Sequence, residues 1–232
     1  MIRRHVFVTG GTGYIGRGLV QSLLARGHTV RALVRVASAA RLPRGVVPVF
    51  GDALDATSYL DEVPPADTFV QLVGTARPGP RKADEFSLVD LPSGLAGVQA
   101  AVQGRVRHLV YVSVAHPAPV MHAYVQVRRT VEASIREACE TSWLAATILR
   151  PWYVLGPGHR WPYLLAPFYA LGRALPPTRA GAERLGLVTH AQMVAALVEA
   201  VEHPPDGSSS EPRVWEVPRI ARAHTAIRLD VR

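Results

Sequence analysis

The chain has 232 residues, of which 48% are hydrophobic and 19% are charged. This balance is typical of a globular protein with a sizeable core and excludes extensive disorder. The single cysteine, Cys139, excludes a disulfide framework and a cluster of thiolate ligands, so we predict no metal site. The formal net charge of +8 comes from scattered arginines without a basic stripe, so we expect no nucleic-acid partner.

The N-terminal sequence runs directly into a short apolar segment. It lacks the longer apolar stretch and the cleavage site of a signal peptide. No uninterrupted apolar run reaches the roughly 18 residues of a spanning helix. We therefore expect a cytoplasmic protein without a membrane span, and the oligomeric state cannot be read from the sequence.

The first third of the chain predicts a strand, a turn and a helix, followed by further strands. An apolar run at residues 6–8 predicts the first strand, and a glycine-rich turn follows it. The apolar side chains of Ile15, Leu19 and Leu23 recur at helical spacing, and Gly27 is placed to end that helix. Four further apolar, β-branched runs predict buried parallel strands at 29–34, 46–50, 68–73 and 108–114.

Helices are predicted between most of these strands. One has an apolar face that includes Leu95 and Val98, a longer one covers residues 123–139, and a sixth strand follows at 147–149. Alternating strands and helices predict an α/β fold, a Rossmann-type doubly wound parallel sheet with right-handed crossovers. We assign residues 1–150 to this core.

The last third of the chain departs from the alternation. Residues 150–177 are rich in proline, glycine and aromatic residues, and a helix at 190–202 and a strand at 214–217 follow. We predict that residues 151–232 form a small C-terminal region that covers a substrate pocket and is not an independent domain. The aromatic residues that suggest an apolar pocket, with core packing as the alternative, are Trp152, Tyr153, His159, Trp161 and Tyr163.

The turn after the first strand reads Thr9-Gly-Gly-Thr-Gly-Tyr-Ile-Gly16. Glycines at such a turn let the backbone approach a pyrophosphate, and the helix N-terminus supplies free N–H groups and a positive dipole end. The core at 1–150 is therefore predicted to bind a dinucleotide. The residues predicted to contact it from the turn are Gly10, Thr12, Gly13, Tyr14, Ile15 and Gly16.

Several motifs together resemble the short-chain dehydrogenase/reductase superfamily, specifically the extended and atypical members that include the NmrA-like proteins. Besides the turn, they are Gly51-Asp52, Tyr111-Val-Ser113, Tyr124, and Ile148-Leu-Arg-Pro151 leading to residues 156–158. The resemblance implies an NAD(P)-dependent oxidoreductase, or an epimerase-like isomerase, that acts on a small molecule.

The end of the second strand indicates which dinucleotide is bound. NAD-selective proteins place an acidic residue there. This chain instead has Arg35, whose guanidinium can pair with the 2′-phosphate of NADP. We predict that NADP(H) is preferred, with NAD(H) as the alternative cofactor and a solvated arginine as the alternative explanation. The resemblance further implies that Asp52 contacts the adenine and that Gly74 and Thr75 lie near the cofactor ribose.

The resemblance also implies a catalytic tetrad of Asn, Ser, Tyr and Lys, of which half is present. Ser113 matches the substrate orienter and Tyr124 the acid/base, but Arg128 replaces the lysine and the chain contains no asparagine. Spaced by four on a helix, Tyr124 and Arg128 share a face, so Arg128 is predicted to favour the tyrosinate as an electrostatic helper. The alternative is a buried aromatic and a solvated charge, and His159 and His190 stay unassigned.

Two functions follow from these residues. The first is an NADP(H)-dependent oxidoreductase or isomerase, which the retained Ser113 and Tyr124 favour. The alternative is a non-catalytic NADP(H)-binding redox sensor or assembly factor, which the incomplete tetrad favours. The substrate cannot be identified from the sequence.

Overall fold

The computed structural model describes residues 2–76, 78–156, 181, 184–206 and 210–223. The strands are β1 (His5–Thr9), β2 (Thr29–Val34), β3 (Val47–Phe50), β4 (Thr68–Gln71), β5 (His108–Val112), β6 (Ala145–Arg150), β7 (Tyr153–Leu155), β8 (Leu187–Thr189) and β9 (Arg213–Glu216). Seven of them form one parallel sheet in the order β3-β2-β1-β4-β5-β6-β9. Strands β7 and β8 pair separately, also in parallel.

The α-helices of the described residues are α1 (Tyr14–Ala25), α2 (Ala83–Glu85), α3 (Leu91–Gln103), α4 (His122–Thr141), α5 (His190–Glu202) and α6 (Val217–Ala221). A π-helical turn, Phe86–Asp90, connects α2 to α3. A 3-10 helix, Val36–Arg41, follows β2. Neither of these two short helical segments was predicted from the sequence.

Two apolar cores lie on the two faces of the sheet. Successive residues of β1 serve both, since Val6 and Val8 belong to one core and Phe7 to the other. The first core includes apolar residues of α1 and α5, and the second includes those of α3 and α4. This two-sided burial explains why the strands are continuously apolar, and it confirms the predicted α/β Rossmann fold.

The C-terminal region contributes more to the core than its predicted role as a cover implies. Strand β9 extends the main sheet by pairing with β6, and α5 packs against α1. The predicted division at residue 150 therefore does not coincide with the edge of the sheet. Residues 157–180 lie outside the described residues, and with them His159, Trp161 and Tyr163.

Strand β4 ends at Gln71, two residues before the predicted end, because side chains there bond across the strands. The Thr9 hydroxyl donates to Gln71 Oε1 at 2.5 Å and accepts from the Leu72 amide at 3.3 Å. Gln71 Nε2 donates in turn to the carbonyl of Ser93 in α3 at 2.9 Å. These bonds join β1, β4 and α3 beside the point where the strand order reverses, which is where open α/β sheets bind ligands.

Candidate active site

The turn between β1 and α1 is closed by glycines that approach other backbone atoms. Gly10 has a φ of 71°, and a Cβ there would lie 2.9 Å from the carbonyl carbon of Leu72. The Gly13 amide donates to the carbonyl of Gly10 at 2.9 Å. At Gly16 a Cβ would lie 2.2 Å from the same carbonyl oxygen, so this glycine lets the helix pack on the turn.

Gly13 differs from these two glycines because it faces solvent. It is exposed, and a Cβ there would meet a single neighbour, the Gly10 carbonyl oxygen at 3.1 Å. As the N-cap of α1 it makes no side-chain hydrogen bond to the first N–H groups of the helix. The turn thus offers an open surface of backbone donors at the positive end of a helix dipole, which fits a phosphate group.

Helix α5 packs against the outside of the turn. His190 Nε2 donates to the Tyr14 carbonyl oxygen at 2.9 Å, and the two rings lie 4.7 Å apart at a tilt of 57°. Gly18 leaves room for this histidine, since a Cβ there would lie 2.7 Å from His190 Cε1. His190, unassigned from the sequence, therefore fixes the C-terminal region to the turn.

Arg35 is exposed immediately after β2, where the 3-10 helix begins. Its carbonyl accepts from the Ser38 amide at 2.8 Å, and the Arg41 guanidinium donates to Ser38 Oγ at 2.6 Å. Leu42, which ends this helix, packs beside Gly11 of the turn. The loop that carries Arg35 and Arg41 therefore lies beside the turn at Leu42, and the contact of Arg35 with a cofactor remains a prediction.

Asp52 shapes the loop after β3. Its Oδ1 accepts from the Leu54 amide at 3.0 Å, and its own amide donates to Ser58 Oγ at 2.9 Å. The Asp52 residue is exposed. The predicted contact with adenine would therefore use a carboxylate that already accepts a hydrogen bond within its own loop.

The loop after β4 is held by a residue that the sequence analysis missed. Asp90, fully buried at the end of the π-helical turn, accepts from both the amide (2.8 Å) and the hydroxyl (2.6 Å) of Thr75 through Oδ2. Its Oδ1 accepts from the Arg128 guanidinium. Gly74 makes room for this ion pair, because a Cβ there would lie 2.4 Å from Arg128 Nη2.

Arg128 is buried and surrounded by protein groups. Besides Asp90, its Nη1 donates to the Tyr111 hydroxyl at 3.2 Å and to the Val112 carbonyl at 3.0 Å. Its Cζ lies 4.9 Å from the centre of the Tyr124 ring. The predicted proximity of Tyr124 and Arg128 is present, but Arg128 is an ion-paired side chain and not a solvated charge.

Tyr124 lies between Arg128 and Phe86, whose ring centre is 4.8 Å away. Burial raises the pKa of the Tyr124 hydroxyl; Arg128 lowers it, and the Asp90 carboxylate raises it again. The net pKa lies above the usual value of 10.0. Arg128 therefore acts in the predicted direction, toward the tyrosinate, but burial and the Asp90 carboxylate together outweigh its effect on the pKa.

Ser113 belongs to a neighbouring charged cluster. It is buried near the Glu132 carboxylate, close enough to lower the Glu132 pKa but without the alignment of a regular hydrogen bond. Arg150 Nε donates to Glu132 at 3.0 Å, and His116 Nε2 lies 3.3 Å from it. Burial alone would raise the pKa of Glu132, but Arg150, Ser113 and His116 together bring it below its usual value.

Residues 10–160 match the protein family described as NAD(P)H-binding. This match covers more than half of the chain and includes the turn, Asp90 and both charged clusters. The chain belongs to the NAD(P)H-binding family. The predicted membership of an NAD(P)-binding superfamily is thereby confirmed.

Two proteins with similar sequences have different names, one a reductase and the other an assembly factor. The chain is 30% identical over 158 residues to the ceramide reductase of Caulobacter vibrioides, covering 67% of this chain and 48% of that protein. It is 30% identical over 111 residues to the photosystem II assembly factor Ycf39 of Trieres chinensis, covering 47% of this chain and 34% of that protein. The chain thus spans about a third to a half of the length of these relatives.

A solved structure gives the same fold over nearly the whole chain. The Bordetella bronchiseptica enzyme WbmH, in complex with NAD⁺, superposes with a TM-score of 0.64 at 20% identity, covering 93% of this chain and 75% of that one. At this identity the likeness supports the Rossmann fold of the NAD(P)H-binding family and not a particular reaction.

The structure also bears on the remaining sequence-based expectations for this family member. Within the described part of the chain, no helix combines the length and apolar character that crossing a membrane requires. Among the same residues, no group of three or more His, Cys, Asp or Glu side chains is arranged to hold a metal ion. Of the predicted pocket aromatics, Trp152 and Tyr153 make an edge contact at 5.4 Å, and Trp152 packs against the first core.

Proposed function

We propose that the chain is an NADP(H)-dependent oxidoreductase that acts on a small carbonyl compound or the corresponding alcohol. The observation that supports it best is the common edge of the sheet shared by the open glycine turn and the Tyr124 cluster. The link is the loop at Gly74 and Thr75, which follows β4 next to the turn and is bonded to the Asp90–Arg128 pair.

The residues present fit a dinucleotide. The exposed Gly13 and the start of α1, which has no side-chain cap, would hold the pyrophosphate, and the exposed Arg35 would hold a 2′-phosphate. When bound, the nicotinamide ring supplies or accepts a hydride. The fit rests on the open space at Gly13, which a larger side chain would fill.

Tyr124 is proposed as the acid/base that exchanges a proton with the substrate oxygen, as part of a general acid–base mechanism. Ser113 is proposed to orient the substrate, which requires its hydroxyl to turn from Glu132 toward the substrate. Arg128 is proposed to act through Tyr124 by fixing its ring, since its donors face Asp90, Tyr111 and Val112.

The second candidate function is a non-catalytic, NADP(H)-binding redox sensor or assembly factor. The buried ion pair favours it, because an arginine neutralised by Asp90 is a poor substitute for a free lysine cation beside the tyrosine. The similarity to the assembly factor Ycf39 is in keeping with this candidate.

The deciding experiment begins with identification of any small molecule that copurifies with the chain, followed by fluorescence titration with NADPH and NADH. A panel of aldehydes, ketones and quinones is then tested for NADPH oxidation. An oxidoreductase predicts turnover that Tyr124→Phe abolishes while NADPH affinity stays near the parent value. Tyr59→Phe is the matched control, since it also removes a buried hydroxyl, one without a hydrogen-bond partner in the described structure.

Absence of turnover in the parent across the panel, together with a partner affinity that changes with the redox state of the cofactor, would favour the sensor. Turnover that survives Tyr124→Phe unchanged would remove Tyr124 from the mechanism.

A further inference from the structure

We propose that Asp90 is a positioning residue that pairs with Arg128, offsets the charge of this arginine beside Tyr124 and thereby favours the protonated Tyr124 as a proton donor suited to carbonyl reduction. The direction of the reaction rests on the proposed function, whereas the effect of Asp90 on Tyr124 does not. Neither the sequence motifs nor the relatives assign a role to Asp90.

Asp90 has no role toward solvent. It is fully buried, and both of its oxygens accept hydrogen bonds from within the site. One oxygen holds Thr75 in the loop after β4, and the other holds Arg128. A buried carboxylate in this position therefore couples the cofactor-side loop to helix α4.

The Arg128 side chain is held in place by its contacts. Its side chain is 7% exposed, and its donors face Asp90, the Tyr111 hydroxyl and the Val112 carbonyl. Its Nε is also buried, without a partner in the described structure. Binding a ribose through this guanidinium would require the ion pair to break, which is costly for a buried pair. Arg128 is thus held as part of the protein interior.

The ion pair also reduces the positive charge that Tyr124 experiences from Arg128. A free cation at 4.9 Å from the ring would stabilise the tyrosinate, but here a carboxylate partner offsets that charge. Tyr111 has a similar environment, and burial raises its pKa to about 12 against the opposing effect of Arg128. Burial thus raises the pKa of both phenols beside the ion pair, and the Asp90 carboxylate adds to this increase at Tyr124.

A protonated Tyr124 is a general acid. In carbonyl reduction its O–H bond breaks as the proton passes to the carbonyl oxygen, which becomes the alcohol hydroxyl. The hydride that adds to the carbonyl carbon would be supplied by the reduced nicotinamide of the proposed function, and the tyrosinate would regain a proton from solvent. Alcohol oxidation needs the tyrosinate at the start, so its rate should rise only in alkaline solution.

The test is an ultraviolet absorbance titration of tyrosinate on the full chain, without cofactor or substrate. Asp90→Asn keeps the shape of the side chain and removes its charge. Among the seven tyrosines of the chain, we expect one to titrate about one pH unit or more lower in this variant than in the parent. That early titration should vanish in Asp90→Asn/Tyr124→Phe and persist in Asp90→Asn/Tyr111→Phe.

Two results would overturn the proposal: an Asp90→Asn titration identical to that of the parent, or an early titration that vanishes with Tyr111 instead of Tyr124. If Asp90→Asn does not fold by circular dichroism, Asp90→Asn/Arg128→Gln removes both charges and is measured instead. In that variant Tyr124 should stay protonated to at least as high a pH as in the parent, and an earlier titration would refute the role of the pair.

Because the titration needs neither NADPH nor a substrate, it can fail while cofactor binding and turnover succeed. Equally, Asp90 can prove to control Tyr124 in a protein that turns over nothing. If a carbonyl substrate is found, the rate of its reduction should fall at a lower pH in Asp90→Asn than in the parent, whereas a purely structural loss would lower the rate equally at every pH.

Discussion

At the end of β1 the candidate site consists of backbone, and at the ends of β4 and β5 it consists of side chains. The turn at Gly10 to Gly16 exposes Gly13 and tolerates no side chain where it packs on itself. The other end buries an ion pair, Asp90–Arg128, against two tyrosines. The backbone site requires that a few positions carry no side chain. The side-chain site requires that every member of a hydrogen-bonded set is present. The two ends should therefore respond to mutation in different ways.

The largest expected effect is a loss of folding stability when one partner of the buried ion pair is removed. Asp90→Ala leaves the buried Arg128 without its carboxylate, and we expect a loss of about 3–5 kcal/mol in the free energy of unfolding. Urea denaturation measures this loss, and exposed Asp84 provides the control Asp84→Ala, which should change stability little. If Asp90→Ala lowers the free energy of unfolding as little as Asp84→Ala does, the stability of the side-chain end does not depend on its ion pair.

Gly13→Val tests the backbone end. Its side chain would fill the open surface beside the turn, so we expect NADPH affinity to fall by about 100-fold or more, while the melting temperature stays near that of the parent. Fluorescence titration and thermal denaturation measure the two quantities.

Two further glycines control this experiment. Gly79→Val, at a position with open space around it, should change neither quantity. Gly16→Ala should instead destabilise the fold by about 1–3 kcal/mol, because its Cβ meets the Gly10 carbonyl oxygen. Undiminished NADPH affinity in Gly13→Val would show that the turn does not hold the cofactor.

Arg35→Asp tests whether one side chain adds specificity to the backbone end. If Arg35 pairs with the 2′-phosphate, the parent should prefer NADPH over NADH by about 10-fold to 100-fold, and the variant should lose or invert this preference. Arg44→Asp changes the net charge equally but lies next to Gly45, which packs near Leu24 at the far end of α1. Equal affinities of the parent for the two cofactors would assign Arg35 to solvent.

The smallest effect is a pH dependence at the side-chain end. The pKa of Glu132 is lowered in the folded protein, so its ionised form stabilises the fold above the unfolded value near 4.5. This contribution should be lost as the pH falls from that value through the lower pKa of the folded state. Glu132→Gln should therefore be less stable than the parent at pH 7, and the difference should narrow in acid.

Urea denaturation between pH 7 and pH 3 measures this difference. Exposed Glu137 on the same helix gives the control Glu137→Gln, for which we expect a difference that is small at every pH. A gap between Glu132→Gln and the parent that is constant over the whole range would show that the Glu132 charge does not stabilise the fold.

The backbone end could be predicted from the sequence and the side-chain end only in part. The glycines of the turn are adjacent in the chain, and a local spacing is enough to specify them. The proximity of Tyr124 and Arg128 was predicted correctly, because residues four apart lie on the same face of a helix. Asp90 lies 38 residues before Arg128, and the two meet because the π-helical turn and α3 pack on α4. In the sequence Asp90 resembles a helix N-cap, since Pro92 follows it near the start of α3.

The fold shows the same limit. The apolar runs predicted seven strands and a parallel sheet, but not β7 and β8, and not that β9 pairs with β6 in the main sheet. The end of β4 was misplaced by two residues because Leu72 looks apolar in the sequence while its amide bonds to the Thr9 hydroxyl. Contacts between distant side chains decide such details, and they leave no periodic signal along the chain.

Strand β3 at the edge of the sheet has a consequence for how the protein behaves at high concentration. An edge strand offers unpaired N–H and C=O groups to other chains and can seed aggregation. β3 has four residues, and one of them, Pro48, has no N–H to donate. Although Val47 and Phe50 are exposed beside it, the row of donors is short and interrupted. Replacing Pro48 with a β-branched residue such as valine would therefore be a poor choice in any attempt to engineer a more soluble variant.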